Sequence, residues 1–257
     1  MRKVSKLLSC ICLSLSVLIC GPAINIYASE QTTPNAQEIP QPTALLPGPS
    51  PVDLAVVDFF SNSAFIGNSI GVGLTNYVKR LDPNYIGTPT MLTVGCYSFR
   101  NDSAGNPKYM VSYNKTPLRA KDAVAASGAK YVFINMGTND LFEGTEKAYT
   151  RYVNYIDEIR QTNPGVVFFI ESTTPACKGS NVSNDKINRF NELMYQYCLT
   201  TYDTIYIDIS TPMKDAEGYL QKELSSDKSV HLNNKAYEMW MDTVRNMAVN
   251  LILASGQ

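Results

Sequence analysis

The chain has 257 residues, 44% hydrophobic and 18% charged, with a formal net charge of −1 and one histidine. That composition is ordinary for a globular protein and long enough for one sizeable α/β domain. A mildly acidic surface argues against nucleic acid as a partner, and a single histidine with cysteines at no metal-site spacing argues against a zinc cluster.

Arg2, Lys3 and Lys6 open a basic segment, and residues 7–20 form an apolar run that is short for a membrane span. Ala28 or Ser29 then ends a small-residue cleavage site, so residues 1–29 read as a secretory signal. Cys20 follows Val17-Leu18-Ile19 and lacks the small residue that a lipoprotein signal places before its cysteine. Cleavage before Glu30 makes the chain three charges more negative and removes Cys10, Cys12 and Cys20. Of the remaining Cys96, Cys177 and Cys198, at most one internal pair can form, and whether Cys177 and Cys198 pair is open. Residues 30–51 carry Pro34, Pro40, Pro42, Pro47, Pro49 and Pro51 among small polar residues, the composition of an extended tether. The expected product is secreted or extracytoplasmic, with no stable insertion in a membrane once the signal is cut.

From Val52 onward short apolar runs alternate with helical patterns, the signature of stacked βα units on a parallel sheet. Ala64-Phe65-Ile66 leads into Gly67-Asn68-Ser69-Ile70-Gly71-Val72-Gly73. A serine at a strand-to-helix turn exposes its hydroxyl and aims its own N–H at a bound anion. The same glycines resemble a dinucleotide-binding loop, but its third glycine is missing and no acidic residue ends the second strand. That second strand, Met91-Leu92-Thr93-Val94, ends in Gly95-Cys96. Thr116-Pro117 reads as the N-cap and first-turn proline of a helix that runs out near Gly128.

Tyr131-Val132-Phe133-Ile134 follows, ending in Asn135-Met136-Gly137-Thr138-Asn139-Asp140. An Asn139 amide converging with the N–H groups of Ser69 and Gly95 would give three donors for an oxyanion. Thr145 reads as the cap of a helix whose Tyr149, Tyr152, Val153, Ile156 and Ile159 recur at helical spacing. Val166-Val167-Phe168-Phe169-Ile170 and Ile205-Tyr206-Ile207 complete the strands, all near-continuously apolar as in a sheet covered on both faces. Further helices run from about Ser183 and from about Asn233 past Trp240, Val244 and Leu251. The predicted fold is a flavodoxin-like three-layer α/β/α sandwich with a central parallel sheet of about five strands, its ligand at the carboxyl ends.

Ahead of the last helix lies Ser225-Ser226-Asp227-Lys228-Ser229-Val230-His231-Leu232-Asn233. A serine hydroxyl is a poor nucleophile until an imidazole takes its proton, and a carboxylate on the other ring nitrogen orients that imidazole. With one histidine in the chain, the base of any such chemistry is His231.

Gly67-Asn68-Ser69-Ile70, Gly95, Gly137-Thr138-Asn139-Asp140 and the His231 segment together resemble the blocks of the SGNH/GDSL hydrolase family in order and spacing, over about residues 52–253. The resemblance implies Ser69 as nucleophile and His231 as general base, with the Ser69 and Gly95 N–H groups and the Asn139 side chain as oxyanion hole. It also implies ester hydrolysis through an acyl-enzyme, with no metal or other cofactor. Two positions depart from the pattern. Asn68 stands where the family has aspartate, which keeps a short side chain able to bond nearby backbone. Lys228 stands three residues before His231, where the family places its aspartate; Asp227 lies four before, so a triad requires a one-residue bulge and the alternative is a Ser-His dyad.

Secretion and a tether point to an ester on a polysaccharide or small molecule as the substrate, with O-acetyl groups on carbohydrate or cell-wall polymer favoured. Tyr97, Phe99 and Phe142 are candidate aromatic faces for sugar rings, although core or rim packing is the commoner fate of such residues. A degenerate glycan-binding module and an acyltransferase are the alternatives, the first motivated by the displaced Asp227. Asp140 reads as structural, and the sequence says nothing of oligomeric state.

Overall fold

The computed structural model describes residues 49–256; the expected signal and nearly all of the expected tether lie outside these residues. Pro51 opens helix α1 (Pro51–Ser61), and α2 (Ser69–Val78), a short α3 (Pro83–Ile86) and α4 (Phe99–Ala104) follow in the first half. The second half contributes α5 (Ala120–Ser127), α6 (Thr145–Thr162), α7 (Asn184–Thr200) and α8 (Asn234–Ser255).

Strands β1 (Ser63–Gly67), β2 (Thr90–Thr93), β5 (Tyr131–Asn135), β6 (Val167–Glu171) and β7 (Thr204–Ile207) form one parallel sheet in the order β2-β1-β5-β6-β7. A separate antiparallel pair, β3 (Val111–Tyr113) and β4 (Thr116–Leu118), makes a small hairpin. The fold is the expected α/β/α sandwich.

Alternation along the strands divides the sheet between two cores. Phe65, Phe133 and Phe169 are register partners on one face, their rings stacked 4.4 and 4.6 Å apart, and they pack with Trp240 and Val244 of α8 and with Ile70 and Leu74 of α2. Ala64, Ile66, Val132, Ile134, Phe168 and Ile170 point the other way, toward Val124 of α5, Ile156 of α6 and Phe190 of α7. Neither face of the sheet is left to water. This is why the strands read as continuous apolar runs.

The expected helix start at Thr116-Pro117 is wrong: Thr116 pairs with Tyr113 and Leu118 with Val111, and the helix begins at Ala120. Its end at Gly128, which takes the left-handed C-cap conformation, is as expected. Thr145 is the first helical residue and not the cap; Gly144 occupies the cap position with no side-chain bond. The later helix starts hold, with Ser183 and Asn233 each accepting a backbone N–H at an N-cap.

The chain runs from β1 to β2 on one side of the sheet and then places β5, β6 and β7 on the other. Turns after β1, β2 and β5 therefore meet at the carboxyl edge where the direction of winding reverses, the usual ligand crevice of such sheets.

Candidate active site

Ser69 is the first residue of α2, directly after β1. Its N–H has no acceptor within the helix and lies at the positive end of the helix dipole. Asn68 is the N-cap, its Oδ1 accepting the Ile70 N–H at 2.9 Å, which is the local backbone bond expected of a short side chain there. The glycines around Ser69 serve packing and not phosphate binding. A Cβ on Gly67 would lie 3.0 Å from Gly71 Cα, and one on Gly73 would collide with the Tyr237 hydroxyl, which donates to the Ile70 carbonyl and pins α2 to α8.

His231 Nε2 lies 3.0 Å from Ser69 Oγ, and its Nδ1 lies 2.6 Å from Asp227 Oδ2. An imidazole with Nδ1–H donating to the carboxylate leaves Nε2 as an acceptor facing the hydroxyl. The one-residue displacement of Asp227 is absorbed by a turn in which Lys228 takes φ of 60°. Asp227 Oδ1 accepts the Ser229 N–H at 2.8 Å and the His231 N–H at 3.2 Å, while Ser225 Oγ accepts the Lys228 N–H at 2.9 Å. Partial desolvation raises the Asp227 pKa, but the bonds from the His231 ring and the two backbone N–H groups outweigh it and hold the carboxyl below its ordinary value. The side chains remain open to solvent, at 43% for His231 and 36% for Asp227.

The loop is fastened on both flanks. Ser225 bridges Leu232, and the Asn233 N–H donates to the Leu224 carbonyl. From the turn after β6, the Cys177 N–H donates to the Ser229 carbonyl at 2.8 Å, and the Ser180 and Ser229 hydroxyls are 3.1 Å apart. These anchors were not legible in the sequence, since nothing marks Cys177 or Ser180 as neighbours of the histidine loop. Cys96, Cys177 and Cys198 are all free thiols.

In the turn after β2, Gly95 is exposed with open space where a Cβ would stand, and Cys96 after it takes φ of 57°. Asn139 follows β5 and donates from Nδ2 to the Tyr97 carbonyl at 2.9 Å, which uses one of the two N–H donors of its amide and leaves the other. Gly137 (φ 122°) makes that turn possible, because a Cβ would lie 2.6 Å from the Phe190 ring. Of the three candidate aromatic faces, Tyr97 (0% exposed) and Phe99 (1%) are core residues, because each ring is enclosed by the second core and the Tyr97 hydroxyl is taken by Asp102. Phe142, 64% exposed, stands out from the turn after Asn139 with the Arg100 guanidinium 5.4 Å from its ring centre.

The arrangement has the parts for acyl transfer: a hydroxyl on a helix N-terminus, a base within reach of it, and a carboxylate behind the base. Solved structures share the fold at low identity. They include a lipase/acylhydrolase from Enterococcus faecalis (14% identity, TM-score 0.56, covering 73% of this chain and 95% of that one) and a GDSL-like lipase from Bacteroides thetaiotaomicron (16%, 0.54, 72% and 86%). A carbohydrate esterase family 3 protein from Talaromyces cellulolyticus is similar to the same degree (16%, 0.52, 74% and 97%). No curated protein matches the chain. Residues 65–239 match the model of the GDSL-like lipase/acylhydrolase family, which spans more than half of the sequence, so the chain belongs to that family and is a hydrolase of the esterase type.

Proposed function

We propose that this protein is a serine esterase that removes O-acetyl groups from a carbohydrate or cell-wall polymer outside the cytoplasm. Ser69 is the nucleophile, His231 the general base and acid, and Asp227 the residue that orients His231. The observation that carries the reading is the unbroken line from Ser69 Oγ through both ring nitrogens of His231 to Asp227 Oδ2.

In the first half-reaction Ser69 Oγ attacks the ester carbonyl carbon as its proton passes to His231 Nε2. The carbonyl oxygen becomes an oxyanion facing the Ser69 and Gly95 N–H groups and the free donor of Asn139. Collapse breaks the bond to the alcohol oxygen, which leaves with the proton from His231, and the acetyl group stays on Ser69. Water then attacks the acyl-enzyme, again giving its proton to His231, and acetate departs while Ser69 Oγ regains its proton. No step needs a metal or cofactor.

Support for a polymeric sugar substrate comes from the openness of the His231 and Asp227 side chains, which a chain molecule can reach, and from the exposed Phe142 face beside Arg100. The export signal read in residues 1–29 supports the location. Nucleic acid and membrane lipid are not among the proposed partners.

The test is acetate release from acetylated oligosaccharides together with a series of p-nitrophenyl esters. We expect acetyl to be the best acyl group, and Ser69→Ala to reduce hydrolysis to background while the protein melts cooperatively as before. A preference for long acyl chains would overturn the acetyl assignment, and full activity in Ser69→Ala would overturn the nucleophile.

A further inference from the structure

Behind the oxyanion side of the site lies a carboxyl group that the reaction above does not use. Asp140 follows Asn139 and is 1% exposed. Its Oδ2 accepts the Phe99 N–H at 3.4 Å, and the Arg100 N–H also faces the carboxyl; its Oδ1 meets no donor among the described residues. Phe99 and Arg100 are the first two residues of α4, into which the Gly95 turn leads. Asp140 thus reaches from the turn after β5 to the turn after β2, alongside the Asn139 bond to the Tyr97 carbonyl. Two consecutive side chains tie together the turns that carry two of the three oxyanion donors.

A buried carboxylate with one oxygen unbonded is costly, whereas a neutral acid in the same place leaves no charge without partners. Burial accordingly pushes the Asp140 pKa up to about 7, against the lowering effect of the Phe99 and Arg100 N–H groups and of the Arg151 and Arg100 guanidinium groups. The titratable groups facing Asp140 are Arg100 on α4 and Arg151 and Tyr155 on α6. Both arginines also pair with Glu143.

We propose that Asp140 is a positioning residue for the oxyanion hole, which holds the Gly95 turn against the Asn139 turn. Ionisation places a negative charge behind the point where the oxyanion forms and weakens the hole. The inference rests on the Ser69 reading given above.

The experiment is kcat and KM for p-nitrophenyl acetate from about pH 5.5 to 9.5 in the wild type, Asp140→Asn and Asp140→Ala. Asp140→Ala should lose kcat by about tenfold with KM within about twofold, because the loss falls on transition-state stabilisation. Asp140→Asn, which keeps an acceptor of the same shape, should recover most of that loss at acidic pH. It should also hold its rate between about pH 6 and 8, where the wild type falls by roughly threefold to tenfold as Asp140 ionises. A wild type with no such fall, an Asp140→Asn variant that shares the fall, or full kcat in Asp140→Ala would each overturn the proposal. If Asp140→Ala does not fold, the pH profiles of Asp140→Asn and the wild type decide alone. A wrong nucleophile shows itself separately, as activity retained by Ser69→Ala in the same assay.

Discussion

On the histidine side of Ser69 the contacts are short-range and open to solvent. Asp227 and His231 are four residues apart, both partly exposed, and the turn that joins them closes on its own backbone N–H groups. Across the site, Asn139 reaches a carbonyl 42 residues away and Asp140 an N–H 41 residues away, with Asp140 fully enclosed. A local turn tolerates a shift in spacing, and this one takes up an extra residue by placing Lys228 in the left-handed region at a modest backbone cost of about 1–2 kcal/mol. The buried side has no such slack, since Gly137 already sits where any Cβ would strike Phe190.

The largest expected effect is at Asp227. Replacing it with asparagine keeps the turn's acceptor but removes the charge that sets the His231 tautomer, and kcat should fall by up to about 10⁴, the loss seen when a serine-protease aspartate is so replaced. A change under about threefold, measured in steady-state kinetics, would make the site a Ser-His dyad with a decorative carboxylate. Asn139→Ala tests the other side and should cost roughly 10²–10³ in kcat, about 2.7–4 kcal/mol. A loss under about fivefold would mean that Asn139 only closes the turn through the Tyr97 carbonyl.

The smallest effect concerns stability and not rate. Glu171, at the end of β6, is 3% exposed and accepts the Trp240 indole N–H at 2.7 Å; burial pushes its pKa up to about 8 against that bond. The folded pKa is raised, so its contribution is complete below the ordinary value of 4.5 and is lost as pH climbs through about 8. The wild type should therefore lower its Tm by a few degrees between about pH 5 and 8, and Glu171→Gln should flatten that fall. An unchanged slope in thermal melts of the variant would assign the loss to other groups.

These contrasts also explain what could be read from the chain. The strands were legible because each is covered on both faces, and Ser69, Asn139 and His231 could be named as candidates because each sits in a short segment whose neighbours announce a turn. Asp227 could be named but not placed, because the conformation of Lys228 is a property of the closed loop and has no signature in the residues. The strand Thr116–Leu118 reads as a helix start in the sequence, since a threonine followed by proline suits either and only pairing with Val111–Tyr113 decides. Tyr97 and Phe99 drew attention as sugar platforms by proximity to Gly95, yet both turn into the core. Asp140 reads as structural in the sequence, and its bond from the Phe99 N–H, 41 residues away at the start of α4, has no signature there.

Catalysis in this protein depends on one activated hydroxyl. Treatment of the native protein with a fluorophosphonate, followed by peptide mapping, tests it most directly. We expect one adduct per chain on Ser69, abolished in His231→Ala. No adduct, or an adduct on another serine with Ser69 unmodified, would contradict it.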